Sequence, residues 1–222
     1  MRNVTALCGC VLIAGAVLGQ ESQPLFSVRP GIELPYKSKT VTMGQEFVAR
    51  QPLYVTALGY LDEGGDGLAK ERCVRLYRVT DEALLVTATV ARADGELRAG
   101  FRYAALPQAV RLPPDRYVGA ADFEEGSDRY LSMADVADFN EAGGAVANPK
   151  TGRWNKEGRG YPDSALPNLD GMAVHMTGAS LLFTPAAPAS WAEAAPLRPA
   201  VSLVDELEAA RLAPFAGAVD RQ

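Results

Sequence analysis

From Val41 to Glu124 short apolar-rich runs with strand character alternate with turn residues. Val41–Ala49 and Leu53–Leu61 are rich in β-branched and aromatic residues. Arg72–Val79 puts Val74 and Leu76 on one face and Arg75 and Tyr77 on the other. Leu84–Ala91, Gly100–Ala105, Ala109–Leu112 and Tyr117–Phe123 follow. Seven such runs in about 85 residues, with turn signals every 8 to 12, predict a sandwich or barrel. No helical run long enough for a parallel crossover separates them, so the pairing is expected to be antiparallel. The turns are Asp62-Glu63-Gly64-Gly65-Asp66-Gly67, Thr80-Asp81-Glu82, Ala93-Asp94-Gly95 and Pro113-Pro114-Asp115. Pro107 and Pro113 bracket a short strand and point to an edge position.

After Glu124 the pattern changes. Ser132–Ala142 reads as a short helix, with Ser132 and Asp135 as its cap and Gly143-Gly144 as its stop. Ala145–Gly171 is a long polar insertion, and loops of this length in compact domains are often functional or disordered. Met172–Met176 and Ala179–Phe183 resume strand character, and one of them is expected to close the sandwich. Beyond Pro185 an Ala/Pro-rich linker leads to a short helix at Ser202–Leu212, ended by Pro214. The expected fold is all-β: an antiparallel, jelly-roll-like β-sandwich over residues 20–185, with a loop insertion. A linker and short C-terminal helix are expected over 186–222.

The first residues address the compartment. Arg2 is the only charge before Glu21, Val4–Leu18 is apolar or small, and Val17 and Gly19 suit a signal peptidase. Residues 1–19 therefore read as a secretory leader, cut after Gly19 or Gln20, which predicts a secreted or periplasmic protein. About 15 apolar residues fall short of the roughly 20 that a spanning helix needs, so no transmembrane anchor is expected. Leu7-Cys8-Gly9-Cys10 resembles a lipobox, but an acylated cysteine belongs after the apolar stretch, not inside it. A cut after Gly19 leaves 203 of the 222 residues, enough for one sizeable core. It also leaves Cys73 alone, so no internal disulfide can form and packing must hold the fold, an ion being a further aid. Cys73 is either a reactive thiol or a packed one. With 22 basic and 27 acidic residues and no Lys/Arg block, the chain suits no nucleic-acid backbone.

Several runs come in a recognisable order: V-T-A-L-G-Y-L-D-E-G-G-D-G-L-A (Val55–Ala69), V-R-L-Y (Val74–Tyr77), L-L-V-T-A-T-V (Leu84–Val90), G-F-R-Y (Gly100–Tyr103) and L-P-P-D-R-Y-V-G-A (Leu112–Ala120). In this they resemble secreted bacterial β-sandwich domains of unknown function found in exported proteins with a PEP-CTERM sorting tail. The resemblance covers roughly Gln45–Phe123, with a weaker closing strand at Leu181–Thr184. It implies the fold and an extracytoplasmic setting, and no activity. The sorting tail itself (Pro-Glu-Pro, an apolar helix, a basic end) has no counterpart in the final residues Asp220-Arg221-Gln222.

Candidate chemistry is sparse. His175 is the only histidine, which leaves almost no material for a Ser/His/Asp triad or a multi-histidine metal site. No G-x-S-x-G, P-loop or dinucleotide motif occurs, and paired carboxylates of the glycosidase kind cannot be matched across a fold from sequence. The chain is therefore read as no enzyme. Asp62, Glu63 and Asp66 sit in a glycine-permitted turn that could offer oxygens to Ca²⁺. The twelfth position from Asp62 is Cys73, not a bidentate carboxylate, and Asp-Gly is equally ordinary turn chemistry. Trp154 and Tyr161, with Arg153, Arg159 and Asp163 nearby, form the candidate ligand site. Aromatic faces stack on sugar rings while Arg and Asp hydrogen-bond hydroxyls, or Trp154 turns inward and pins the loop. The functional expectation is a non-catalytic structural or interaction module of the envelope or extracellular space, partnered by another envelope protein. The alternative is a glycan-binding module.

Overall fold

A computed structural model describes residues 21–28, 33–34, 40–124, 130–132, 137–155, 160–166 and 176–185. The expected leader, C-terminal linker and helix, Arg159 and His175 lie outside the described residues. In chain order the strands are β1 (Gln23–Pro24), β2 (Phe26–Val28), β3 (Glu33–Leu34), β4 (Val41–Ala49), β5 (Leu53–Leu61), β6 (Arg72–Arg78), β7 (Leu84–Val90), β8 (Glu96–Arg98) and β9 (Phe101–Leu112). They continue as β10 (Asp115–Phe123), β11 (Tyr130–Ser132), β12 (Ala137–Phe139), β13 (Val146–Ala147), β14 (Gly152–Asn155), β15 (Ser164–Leu166), β16 (Met176–Thr177) and β17 (Ala179–Thr184).

Two sheets dominate, and the fold is all-β and sandwich-like. One has the order β1–β17–β5–β9–β8; the other runs β15–β14–β4–β10–β6–β7, with β13 also on β4. The pairings are antiparallel throughout. β4 and β5 have the expected bounds, β6 and β7 end one residue early, and β17 is the closing strand along β5. Between the sheets, Phe47 of β4 lies on Tyr117 of β10 with ring centroids 5.5 Å apart. Tyr60 of β5 meets Phe123 of β10 at 5.4 Å. Gly59 stands opposite both Tyr103 and Ser180. A Cβ there would come 2.5 Å from the Tyr103 ring, so glycine leaves room for Tyr103 to cross β5 and donate its hydroxyl to Ser180 Oγ at 3.1 Å.

Three expectations need correction. The two short strands at 100–105 and 109–112 are one strand, β9. Its register against β5 jumps from Ala105↔Ala57 to Val110↔Val55, and Pro107, which has no N–H to donate, falls in the resulting bulge. β8 pairs only with Phe101–Tyr103, so the far side of the rest of β9 carries no strand among the described residues. That agrees with the edge position expected from the prolines. The described residues of the span 132–142 do not form the expected helix: Ser132 ends β11, β12 pairs with β2, and a 3-10 turn at Ala142–Gly144 follows. Phe139 meets Phe26 edge-on at 5.3 Å, so a tertiary partner more than a hundred residues upstream outweighs the local cap. The insertion after Ala145 is not all loop either, because β13, β14 and β15 extend the second sheet past β4.

Candidate functional site

Strand alternation gives β4 and β10 two faces. Met43 and Phe47 join Tyr117 and Ala121 in the main core. On the other face Thr42, Gly44 and Glu46 of β4 lie beside Asp122, Ala120 and Val118 of β10. Val118 and Ala120 form a separate small cluster with Tyr77, against which Val79 and Tyr161 pack. This second face is therefore covered rather than open to water.

Its carboxylates are buried with it. The Glu46 side chain is 0% exposed and takes ion pairs from Arg116 and Arg153. Arg75 grips Asp122 with two hydrogen bonds, 2.8 and 2.9 Å, and Thr42 Oγ1 adds a third at 2.7 Å. Those bonds raise the Arg75 pKa further above its ordinary value. A buried carboxylate without such partners would be strongly disfavoured, so each acid is held by a cation that the sheet register sets diagonally across from it on a neighbouring strand.

Residues 161–163 close over this layer. Asn155 Nδ2 donates to Tyr161 O at 2.9 Å, and Arg153 Nη1 donates to the Pro162 and Asp163 carbonyls at 3.4 Å. The Arg153 guanidinium lies 5.4 Å from the centroid of the Tyr161 ring. Tyr161 in turn meets Tyr77 edge-on at 5.4 Å. Burial pushes the pKa of both phenols up.

Of the five candidate ligand residues, the structure brings Arg153 and Tyr161 together. Trp154 neighbours Arg153 on the same strand, so alternation sends it to the opposite face, where it packs against the main core. Asp163 is exposed and accepts a hydrogen bond from Ser164 Oγ at 3.0 Å. Trp154 and Tyr161 thus do not make one aromatic platform, and Arg153 is engaged by Glu46.

The candidate calcium loop is braced by protein. Glu63 opens a 3-10 turn at Glu63–Gly65. Asp62 is buried, and its Oδ2 takes Arg102 Nε at 2.7 Å and Nη2 at 2.6 Å, while Oδ1 accepts the Gly67 N–H at 3.2 Å. Arg102 Nη1 also donates to Ala93 O at 2.6 Å, tying this loop to the one after β7. Asp66 is exposed. Among the described residues no group of three or more His, Cys, Asp or Glu side chains is placed to hold a metal. The Arg102 guanidinium thus already gives Asp62 the positive charge that Ca²⁺ would bring. Cys73 is free and half-buried on β6.

Sequence reasoning missed Glu46, Asp122, Arg75 and Arg116. A signal existed: each is a charged residue in a run otherwise rich in apolar positions, as in V-T-M-G-Q-E-F-V-A. Pairing them required the register of β4, β6 and β10, which is not local information. No protein-family model matches the chain, and no curated protein matches it.

Proposed function

We propose that the protein is an exported, non-catalytic structural or interaction module of the cell envelope or extracellular space. One observation carries this reading: the described buried carboxylates, Glu46, Asp62 and Asp122, are each engaged by a guanidinium. General acid–base chemistry on a carboxylate needs one that can exchange a proton with a bound substrate. Here the acids brace strands and loops instead. Export rests on the basic and then apolar pattern of residues 1–19. The glycan-binding alternative loses support because Trp154 and Tyr161 lie on opposite faces of the sheet.

Two measurements on the full chain test the proposal. Fractionation and N-terminal sequencing are expected to find a mature chain starting at Gln20 or Glu21, outside the cytoplasm. An uncut cytoplasmic chain would overturn export. A glycan array and a panel of glycoside and ester substrates are expected to show neither binding nor turnover. Saturable glycan binding, lost in Tyr161→Ala, would replace the reading with a carbohydrate-binding one.

A further inference from the structure

The ends of the two main sheets are not protected alike. β8 carries Glu96 and Arg98, β1 is two residues long and ends in Pro24, and β15 is three residues long and preceded by Pro162 and Asp163. Short strands, charges and prolines are the usual means by which an open edge is kept from pairing with another chain. β7 has none of them. Leu84–Val90 is seven residues long, with no charge, proline or glycine, and four of its residues are β-branched. It has β6 on one side and no strand on the other among the described residues. Thr87 and Thr89 are exposed, and Leu84 is 47% exposed. Its register slip against β6 lies between the Leu84 and Val86 pairings, leaving Val86–Val90 in regular pairing.

We propose that β7 pairs with β7 of a second copy of this chain, antiparallel about a two-fold axis at Thr87. This rests on the edge itself and not on the role proposed above. The flanking charges select both the occupant and the register. Exposed Glu82 lies five residues before Thr87 and exposed Arg92 five residues after it. A pair centred on Thr87 therefore brings the turn carrying Glu82, where the chain leaves the strand with a φ of 59°, towards the bend carrying Arg92 of the other copy, whose Nε also donates to Leu68 O at 3.3 Å, and the symmetry repeats the approach at the far end. Centring on Ala88 instead would set Glu82 against Asp94, like against like. In the Thr87 register Val86 meets Ala88, and both already pack against the main core, so the apolar layer continues from one copy into the next.

Sedimentation velocity on the mature protein, from about 1 to 500 µM, tests this through mass action. A concentration-dependent dimer is expected. Thr87→Lys, an edge charge, should abolish it with the melting temperature unchanged. Glu82→Lys should weaken association about tenfold, since two pairs reverse at once, and adding Arg92→Glu should restore it. A monomer across the whole range overturns the proposal, and so does a dimer that persists in Thr87→Lys. Failure of the double variant to recover, with both chains folded, overturns the register.

Discussion

The two faces of the β4–β10 pair are both buried, and they are built from opposite materials. On one, Phe47 lies on Tyr117 within the main core. On the other, one residue along each strand, Glu46 sits between Arg116 and Arg153, and Tyr161 closes over Tyr77 and Val118. Apolar packing stabilises roughly in proportion to the area removed from water and is indifferent to direction. An ion-pair layer is different: desolvation offsets most of its attraction, so it adds little net stability while fixing which groups meet. The first face therefore holds the sandwich together, and the second decides where β14 and residues 161–163 dock.

The largest effect that would break this contrast belongs to the apolar face. Phe47→Ala empties a site that is 0% exposed and should cost about 3–5 kcal/mol in urea unfolding. A cost near that of a surface substitution would mean that the core is not where the packing places it. The polar face should answer in a graded way. Glu46→Ala strands the Arg153 guanidinium, whose side chain is only 12% exposed, and should cost about 3 kcal/mol. Arg116→Ala removes a half-exposed partner and should cost less than about 1 kcal/mol. The decisive variant is Glu46→Leu with Arg153→Met. If the layer specifies docking rather than stability, the double variant unfolds within about 1 kcal/mol of the wild type. Amide exchange over residues 152–155 should then be faster, because Arg153 no longer ties the segment to β4. A double variant as unstable as Glu46→Ala would make the layer a stabilising one.

What the sequence discloses follows the same division between local and non-local causes. β4 to β7 are legible because their β-branched and aromatic runs, and the Asp-containing turns after β5 and β6, are local. The fusion of two short runs into β9 is not, since a bulge is defined only against its partner β5. Ser132–Ala142 carries sound helix signals, yet Phe139 is claimed by Phe26 from the other end of the chain. The candidate site fails for a related reason. Trp154 and Tyr161 are near in sequence, but one residue of strand alternation separates Trp154 from Arg153 and sends them to opposite faces. Glu46 and Asp122 carry no local sign of their partners, because only the register sets arginines beside them and only the tertiary fold brings Tyr161 over that face.

A smaller difference between the two faces depends on pH. On the apolar face, burial pushes the Tyr117 phenol up to about 12, and its hydroxyl donates to Pro113 O at 2.7 Å. The folded-state pKa is raised above the unfolded value of about 10, so the contribution is whole below pH 10. It is lost as pH rises through 12. Wild-type stability should therefore fall between these values, by on the order of 1–2 kcal/mol for this group once partial solvent screening is allowed for. Tyr117→Phe should lack that part of the decline. It starts lower by about 1 kcal/mol for the lost hydrogen bond, so the two stability curves converge as pH approaches 12. Tyr161→Phe on the polar face should differ in its starting point, because its hydroxyl has no hydrogen-bond partner among the described residues and nothing is lost at neutral pH. Parallel curves for Tyr117→Phe and wild type from pH 9 to 12 would show that this phenol does not ionise on unfolding as its burial requires.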